Sequence, residues 1–366
     1  MNYIVLDTNV FVQNFWMDSS SFLILLKNHK VVAEQLVVPA VVRDEVISQF
    51  EKKYKEQYAK IEHPIKKIES QLKVELNLEK LIGFSEKLNT YREFFDNLIL
   101  EFDIEVIGYP DVRHRVIAEK AMRRKKPFKD NGEGYCDALI WENIILLMSR
   151  SECDSVAFIT NNSKDFIEKE NLHTELILDL KERGLDPKKI SCHTLLKSFT
   201  DVKILPHLEL SESLLNKINN CDFEEFDFES WLEDGLFDLI DARNAARALI
   251  GLETENCDMH LTEVYEVKNI IAHDVRLIGD ATRYVELSVN AGVSCEVCAD
   301  WQQYQRDYEV KRLLDEGTEY PAPYACTSFS GPVSLKLALV VEGDEIENSN
   351  LELISIGDNG ITKKFR

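Results

Sequence analysis

Ile4-Val5-Leu6-Asp7-Thr8-Asn9-Val10-Phe11 is the stretch whose reading decides the fold. Ile4, Val5 and Leu6 form a short apolar run rich in β-branched residues, the pattern of a strand buried on both faces of a parallel sheet. Whatever follows such a strand lies at its carboxyl end, where open α/β sheets bind ligands. A carboxylate desolvated there is costly unless a cation neutralises it. From this segment alone Asp7 has two readings, the N-cap of the next helix or a metal ligand.

The same texture recurs downstream. Residues 31–42 read as a second strand entering a helix, with Pro39 at the junction, where its missing N–H costs nothing. Residues 43–81 form a long charged helical stretch and 85–100 another helix. Residues 104–107 then read as a strand and 111–125 as a helix. A polar loop over 126–134 leads into an apolar helix over 135–149 that contains Asp137. A strand over 156–160 precedes a helix around 165–169, then a helix over 176–183, a last strand over 190–193 and a short helix to Phe199. Strands alternating with helices imply an α/β/α sandwich around a central parallel sheet.

A linker is expected over 200–207, punctuated by Pro206, giving domains at 1–203 and 208–366. Beyond it the pattern changes. Residues 208–219 and 229–250 read as two helices, and 261–298 and 333–356 as runs of alternation. Residues 264–271, 275–278 and 284–289 look like successive antiparallel strands, so the second domain is expected to be a smaller α+β unit with an antiparallel sheet.

At 366 residues the chain is long enough for two cores. No apolar run approaches the roughly 18 residues needed to span a bilayer. Met1 leads straight into the first strand without the pattern of a signal peptide, so a cytoplasmic location is expected. The eight cysteines are expected to be reduced and mostly buried. Cys295-Glu296-Val297-Cys298 lacks the second pair of soft ligands that a zinc site needs.

The net charge of −22 is unevenly spread. Residues 206–366 carry 13 Lys and Arg against 32 Asp and Glu, a balance of −19, whereas residues 1–205 carry 30 against 33. Acidity normally argues against nucleic acid as a partner, but the first half escapes that argument. It holds Lys52, Lys53, Lys55, Lys60, Lys66 and Lys67, then Arg123, Arg124, Lys125, Lys126 and Lys129. Solvated helix faces are the commoner meaning of such runs.

Four acids occupy recurrent positions: Asp7 after the first strand, Glu45 in the first turn of the helix after the second, Asp137 early in the apolar helix, and Asp165 after the 156–160 strand. If these junctions share one edge of the sheet, the carboxylates converge there. Mg²⁺ or Mn²⁺, hard cations that take oxygen ligands and retain water, would relieve their repulsion. A carboxylate-held ion with open positions is what phosphodiester hydrolysis requires. Bland readings stand beside this. Asp44 and Glu45 both lie near a helix N-terminus, where acids suit the macrodipole, and the strand's phase favours Glu45 as the inward one. Asp165 has the same helix-terminal reading. Asp130 and Glu133 are expected to be solvated. Trp141, Phe128 and Tyr135 are expected in the core rather than as platforms for stacking bases.

With these residues in view the chain resembles the PIN-domain nucleases. The resemblance rests on residues 4–11, on Val38-Pro39-Ala40-Val41-Val42-Arg43-Asp44-Glu45-Val46, on Gly134-Tyr135-Cys136-Asp137-Ala138-Leu139-Ile140-Trp141, and on Phe158-Ile159-Thr160-Asn161-Asn162-Ser163-Lys164-Asp165-Phe166. Lys126-Pro127-Phe128 is similar to a bacterial subgroup with a long helical insertion after the second motif. The resemblance covers about residues 1–200.

It implies a Mg²⁺- or Mn²⁺-dependent endoribonuclease with Asp7, Glu45, Asp137 and Asp165 holding metal and water. Thr8, Asn9, Thr160 and Asn162 would support them, and Arg123, Arg124, Lys125, Lys126 and Lys129 would bind nucleic acid. The implied substrate is RNA, single-stranded or structured like tRNA. Asn162 stands where some members carry another aspartate, which puts a second metal in doubt. A PIN fold retired to a protein-interaction scaffold would predict broken carboxylates; cleavage of structured DNA is a further alternative. The acidic residues 208–366 would repel RNA and are expected to regulate or assemble, by homo-oligomerisation or by engaging a regulatory protein partner.

Overall fold

The computed structural model describes residues 1–366 apart from 34, 74–83, 170, 224–225, 252–256, 301–323, 344 and 359–366. The chain divides into two units, Met1–His207 and Leu208–Arg366.

In the first unit β1 (Asn2–Leu6), β2 (Gln35–Pro39), β3 (Glu105–Ile107), β4 (Ser155–Ile159) and β7 (Ile190–His193) form one sheet in the order β3-β2-β1-β4-β7. Every pairing in it is parallel. Successive residues Tyr3, Ile4, Val5 and Leu6 are all buried, so both faces of β1 are covered, as an unbroken apolar run requires. Chain order runs outward from β1 to β3 on one side and resumes at β4 on the other. The carboxyl ends of β1 and β4 therefore flank a topological switch point, the usual ligand crevice of such sheets.

The helices follow from local chemistry. Asp7 takes an extended conformation and its side chain accepts from Thr8 N, starting α1 (Thr8–Gln13). Pro39 ends β2 and leads into α3 (Ala40–Leu72), which follows α2 (Ser20–Asn28). The long charged helix is thus seen to Leu72; its expected continuation lies outside the described residues. α4 (Phe84–Glu101) and α5 (His114–Met122) precede α6 (Tyr135–Met148), in which nearly every residue from Ala138 on is buried. A helix apolar all round belongs in the interior, and α6 carries Asp137 there.

Two expectations in this unit need correction. The helix expected around 165–169 ends early: α7 is Ser163–Phe166, and Ile167–Glu168 (β5) pairs with Asn171–Leu172 (β6) as a small antiparallel hairpin. Thr200–His207 is not a free linker. Beyond α8 (Thr174–Glu182), α9 covers Leu196–Lys203, Phe199 and Thr200 are buried, and Leu205–His207 is a 3₁₀ turn.

The second unit is a four-stranded antiparallel sheet, β8 (Asp258–Leu277), β9 (Thr282–Asp300), β10 (Tyr324–Glu342) and β11 (Glu345–Asp358), in the order β11-β10-β9-β8. Among the described residues three helices stand where two were expected: α10 (Glu212–Asn219), α11 (Phe228–Leu239) and α12 (Ala242–Ile250). Asp241 causes the extra break, because its carboxylate caps Arg243 N and Asn244 N. Leu214, Leu232 and Leu236 from the helices pack with Leu287, Val289 and Leu337 from the sheet. The short strands expected over 264–278 merge into β8, whose register shifts relative to β9 at several points. Positive φ at Glu266 and Asn269 falls within these shifts, so bulges rather than turns interrupt the alternation.

Two of the cysteines depart from the expected reduced state, while six are free thiols. Cys298 and Cys326 face each other across β9 and β10 and form a disulfide. Cys295 is buried against Ala246 and Cys257. Three residues along a strand reverse the face, which parts the two thiols of the Cys-x-x-Cys sequence.

Candidate active site

Asp7 leaves the end of β1 buried, with 1% of its surface exposed. Its Oδ1 accepts from Thr8 N at 2.7 Å. Its Oδ2 accepts from Thr160 Oγ1 at 2.6 Å and from Asn9 Nδ2 at 3.4 Å. The two readings of Asp7 therefore do not compete: one oxygen caps α1 while the other faces the crevice. Thr160, the residue after β4, also accepts from Asn162 N at 3.0 Å. It thereby ties the β4 loop to the β1 carboxylate.

Glu45 lies in the first turns of α3 and accepts from Thr8 Oγ1 at 2.9 Å. Asp44 points elsewhere: it is exposed and receives Arg43 at 3.3 Å and the Tyr109 hydroxyl at 2.8 Å. Asp137 enters from the first turn of α6, with Asn162 Nδ2 at 3.5 Å from its Oδ1. Gly134 makes that entry possible. Its φ is +117°, and a Cβ there would lie 2.9 Å from Pro127 O and 3.5 Å from Asp137 Oδ2.

Asp165 is 1% exposed; Lys126 Nζ donates to its Oδ1 at 3.2 Å and to Lys164 O at 2.9 Å. Asp165 Oδ2 is buried without a hydrogen-bond partner.

The electrostatics register this gathering of acids. Burial, opposed by the Thr160 and Thr8 hydrogen bonds and aided by Glu45, pushes the Asp7 carboxyl up to about 6. Burial, with the negative fields of Asp7, Asp165 and Glu45, pushes Asp137 up to about 7. Burial and the same acidic surroundings lift the Cys136 thiol to about 11, which argues against a nucleophilic thiolate.

The donor set fits a hard divalent cation. It consists of carboxylate oxygens, hard ligands, and Asp165 Oδ2 is buried without a hydrogen-bond partner. No three of the four carboxylates bring oxygens within 4.8 Å of one another.

The expected nucleic-acid residues divide. Arg123, Arg124, Lys125 and Lys129 are exposed, whereas Lys126 is turned toward Asp165. Arg123 to Lys126 line one wall of a cleft of about 450 Å³ whose other wall includes Glu175, Leu178, Asp179 and Glu182. Of the aromatic residues, Phe128 and Trp141 are buried. Tyr135 is instead 48% exposed at the start of α6, two residues from Asp137.

A second network of ion pairs joins α5, α6 and the C-terminal end of α8. Buried Glu142, five residues after Asp137, accepts from Lys120 at 2.9 Å and from both terminal nitrogens of Arg183 at 2.8 and 2.9 Å. Asp179 accepts from Lys120 and from Trp141 Nε1, each at 2.8 Å. Its members are scattered over 64 residues, and only the glutamate inside an apolar helix hinted at it.

Residues 4–166 match the family model described as PIN domain. No curated protein matches the chain, and no solved structure does. Among the described residues no helix is long and apolar enough to cross a membrane.

Proposed function

Because residues 4–166 of this chain are a PIN domain, a fold whose members are generally metal-dependent nucleases, we propose that the protein is a Mg²⁺- or Mn²⁺-dependent endoribonuclease. The observation that carries this reading is the convergence of Asp7, Glu45 and Asp165 on Asp137, whose carboxyl feels all three, at a switch point of the sheet.

In this reading Asp7, Glu45, Asp137 and Asp165 would hold the ion and its water. A bound divalent ion supplies Lewis-acid polarisation of the phosphate and a hydroxide from coordinated water near neutral pH. Thr160 and Thr8 fix the rotamer of Asp7, so the carboxylate is aimed before any ion arrives. Thr8 also aims Glu45, which is placed to accept a proton from water. Arg123, Arg124, Lys125 and Lys129 offer exposed cations for RNA phosphates, and Tyr135 offers a face for an unstacked base. The acidic second unit regulates or assembles the enzyme, through a second copy or a protein partner, in a cytoplasmic setting.

The test is cleavage of labelled single-stranded RNA, tRNA and structured DNA by the full chain in Mg²⁺, Mn²⁺ or EDTA. RNA cleavage is expected with either metal and is expected to disappear in EDTA, in Asp7→Asn and in Asp137→Asn. Full activity in EDTA would sink the metal mechanism. Preferential cutting of DNA would change the substrate, and no cutting across the panel would favour the scaffold.

A further inference from the structure

Lys126 is the basic residue of its run that does not face solvent. Its side chain is 22% exposed, against 2% for the Asp165 carboxylate that it meets at 3.2 Å. Three contacts hold the lysine in place. Its backbone N donates to Glu175 Oε2 at 2.9 Å, and its Nζ donates to Lys164 O at 2.9 Å. Phe128, two residues on, is buried with Ile117 and Ala138, the latter adjacent to Asp137. Pro127 O backs onto Gly134 at the start of the helix that carries Asp137. Lys126 and Asp137 thus belong to one packed piece, and the ammonium is built into the acidic ring.

Charge accounting gives this placement a consequence. Four carboxylates ionised around a cation would carry four negative charges, of which one divalent ion neutralises two and the Lys126 ammonium a third. Two-metal nuclease sites answer with a second ion about 3.5–4 Å from the first. Here Asn162, neutral, sits 3.5 Å from Asp137, and an ammonium already lies on Asp165. A second divalent ion at Asp165 would meet that fixed positive charge at close range, where repulsion in a partly buried site is strong.

Resting on the nuclease reading for its chemistry, we propose that Lys126 supplies as a fixed ammonium part of the charge that a second divalent cation would supply, and occupies that cation's place beside Asp165. The site accordingly binds one divalent ion, on its Asp7–Asp137 side. Lys126 is a charge-balancing and positioning residue: it holds Asp165 through Oδ1, while Oδ2 has no hydrogen-bond partner.

The test counts Mn²⁺ bound to the full-length protein by titration calorimetry and by electron paramagnetic resonance of the free ion. The wild type is expected to bind one Mn²⁺. Lys126→Met removes the charge at similar length and is expected to bind two, while Lys126→Arg keeps the charge and stays at one. Lys126→Gln, which retains a donor for Lys164 O, replaces Lys126→Met should that variant fail to fold. A wild type that binds none or two, or neutral variants that remain at one, would overturn the proposal. The count is independent of RNA cleavage: a correct stoichiometry with no RNA cut would fault the nuclease reading alone.

Discussion

Thr160 donates its hydroxyl to Asp7 Oδ2 at 2.6 Å across 153 residues of sequence. The bond is buried and joins the carboxyl ends of two neighbouring parallel strands. Its donor is itself held by Asn162 N, so the loop that follows β4 orients the carboxylate at the end of β1.

Thr160→Val keeps the shape and removes that donor. Mn²⁺ affinity is expected to fall roughly tenfold to a hundredfold, the usual effect of losing a hydrogen bond to a metal ligand. Stability is expected to fall by about 1–2 kcal/mol. Calorimetric Mn²⁺ titration and urea unfolding measure the two.

The metal-free protein should become less stable as pH rises. Asp7 and Asp137 titrate at about 6 and about 7 when folded, against an ordinary 3.8. The folded state therefore binds more protons than the unfolded one between these values. That contribution is complete below about pH 4 and lost above about pH 7. In EDTA the loss between pH 5 and 8 is expected to be on the order of 3 kcal/mol. Asp137→Asn should remove much of this slope, and saturating Mg²⁺ should flatten it in the wild type. Thermal unfolding across pH, with and without metal, checks this; a rising stability in EDTA would contradict it.

Gly134→Ala combines a strained φ of +117° with a Cβ 2.9 Å from the Pro127 carbonyl. A cost of about 2 kcal/mol or more is expected, with activity falling further than stability explains, because the turn aims Asp137. Unfolding midpoints and cleavage rates below the transition separate the two effects.

Glu142→Ala leaves Arg183 without its buried bidentate partner. Truncating one side of such a pair is expected to cost about 3 kcal/mol, read by urea unfolding. Replacing Asp44, an exposed acid beside Glu45, should leave metal affinity within twofold.

The parts legible in the sequence are those set by local periodicity and motif spacing. The apolar run before Asp7 marked β1, and the fully apolar stretch around Asp137 marked a buried helix; both follow from burial alone. The parallel sheet followed by an antiparallel one is observed as expected. Periodicity was weaker where a cap or bulge intervened. Asp241 split one expected helix in two, and bulges joined expected strands into β8.

At Asp7 itself, the sequence determined that a carboxylate ends a buried strand and that three more acids sit at comparable junctions. Only the tertiary structure decided that one of its oxygens caps α1 while the other receives Thr160. It also decided that Lys126, one of five similar basic residues in the sequence, turns inward to Asp165 while Arg123, Arg124, Lys125 and Lys129 stay in solvent. The reason is physical: periodicity records which residues are buried, whereas hydrogen bonds and ion pairs depend on partners brought together from distant segments, and their geometry exists only once the sheet has formed.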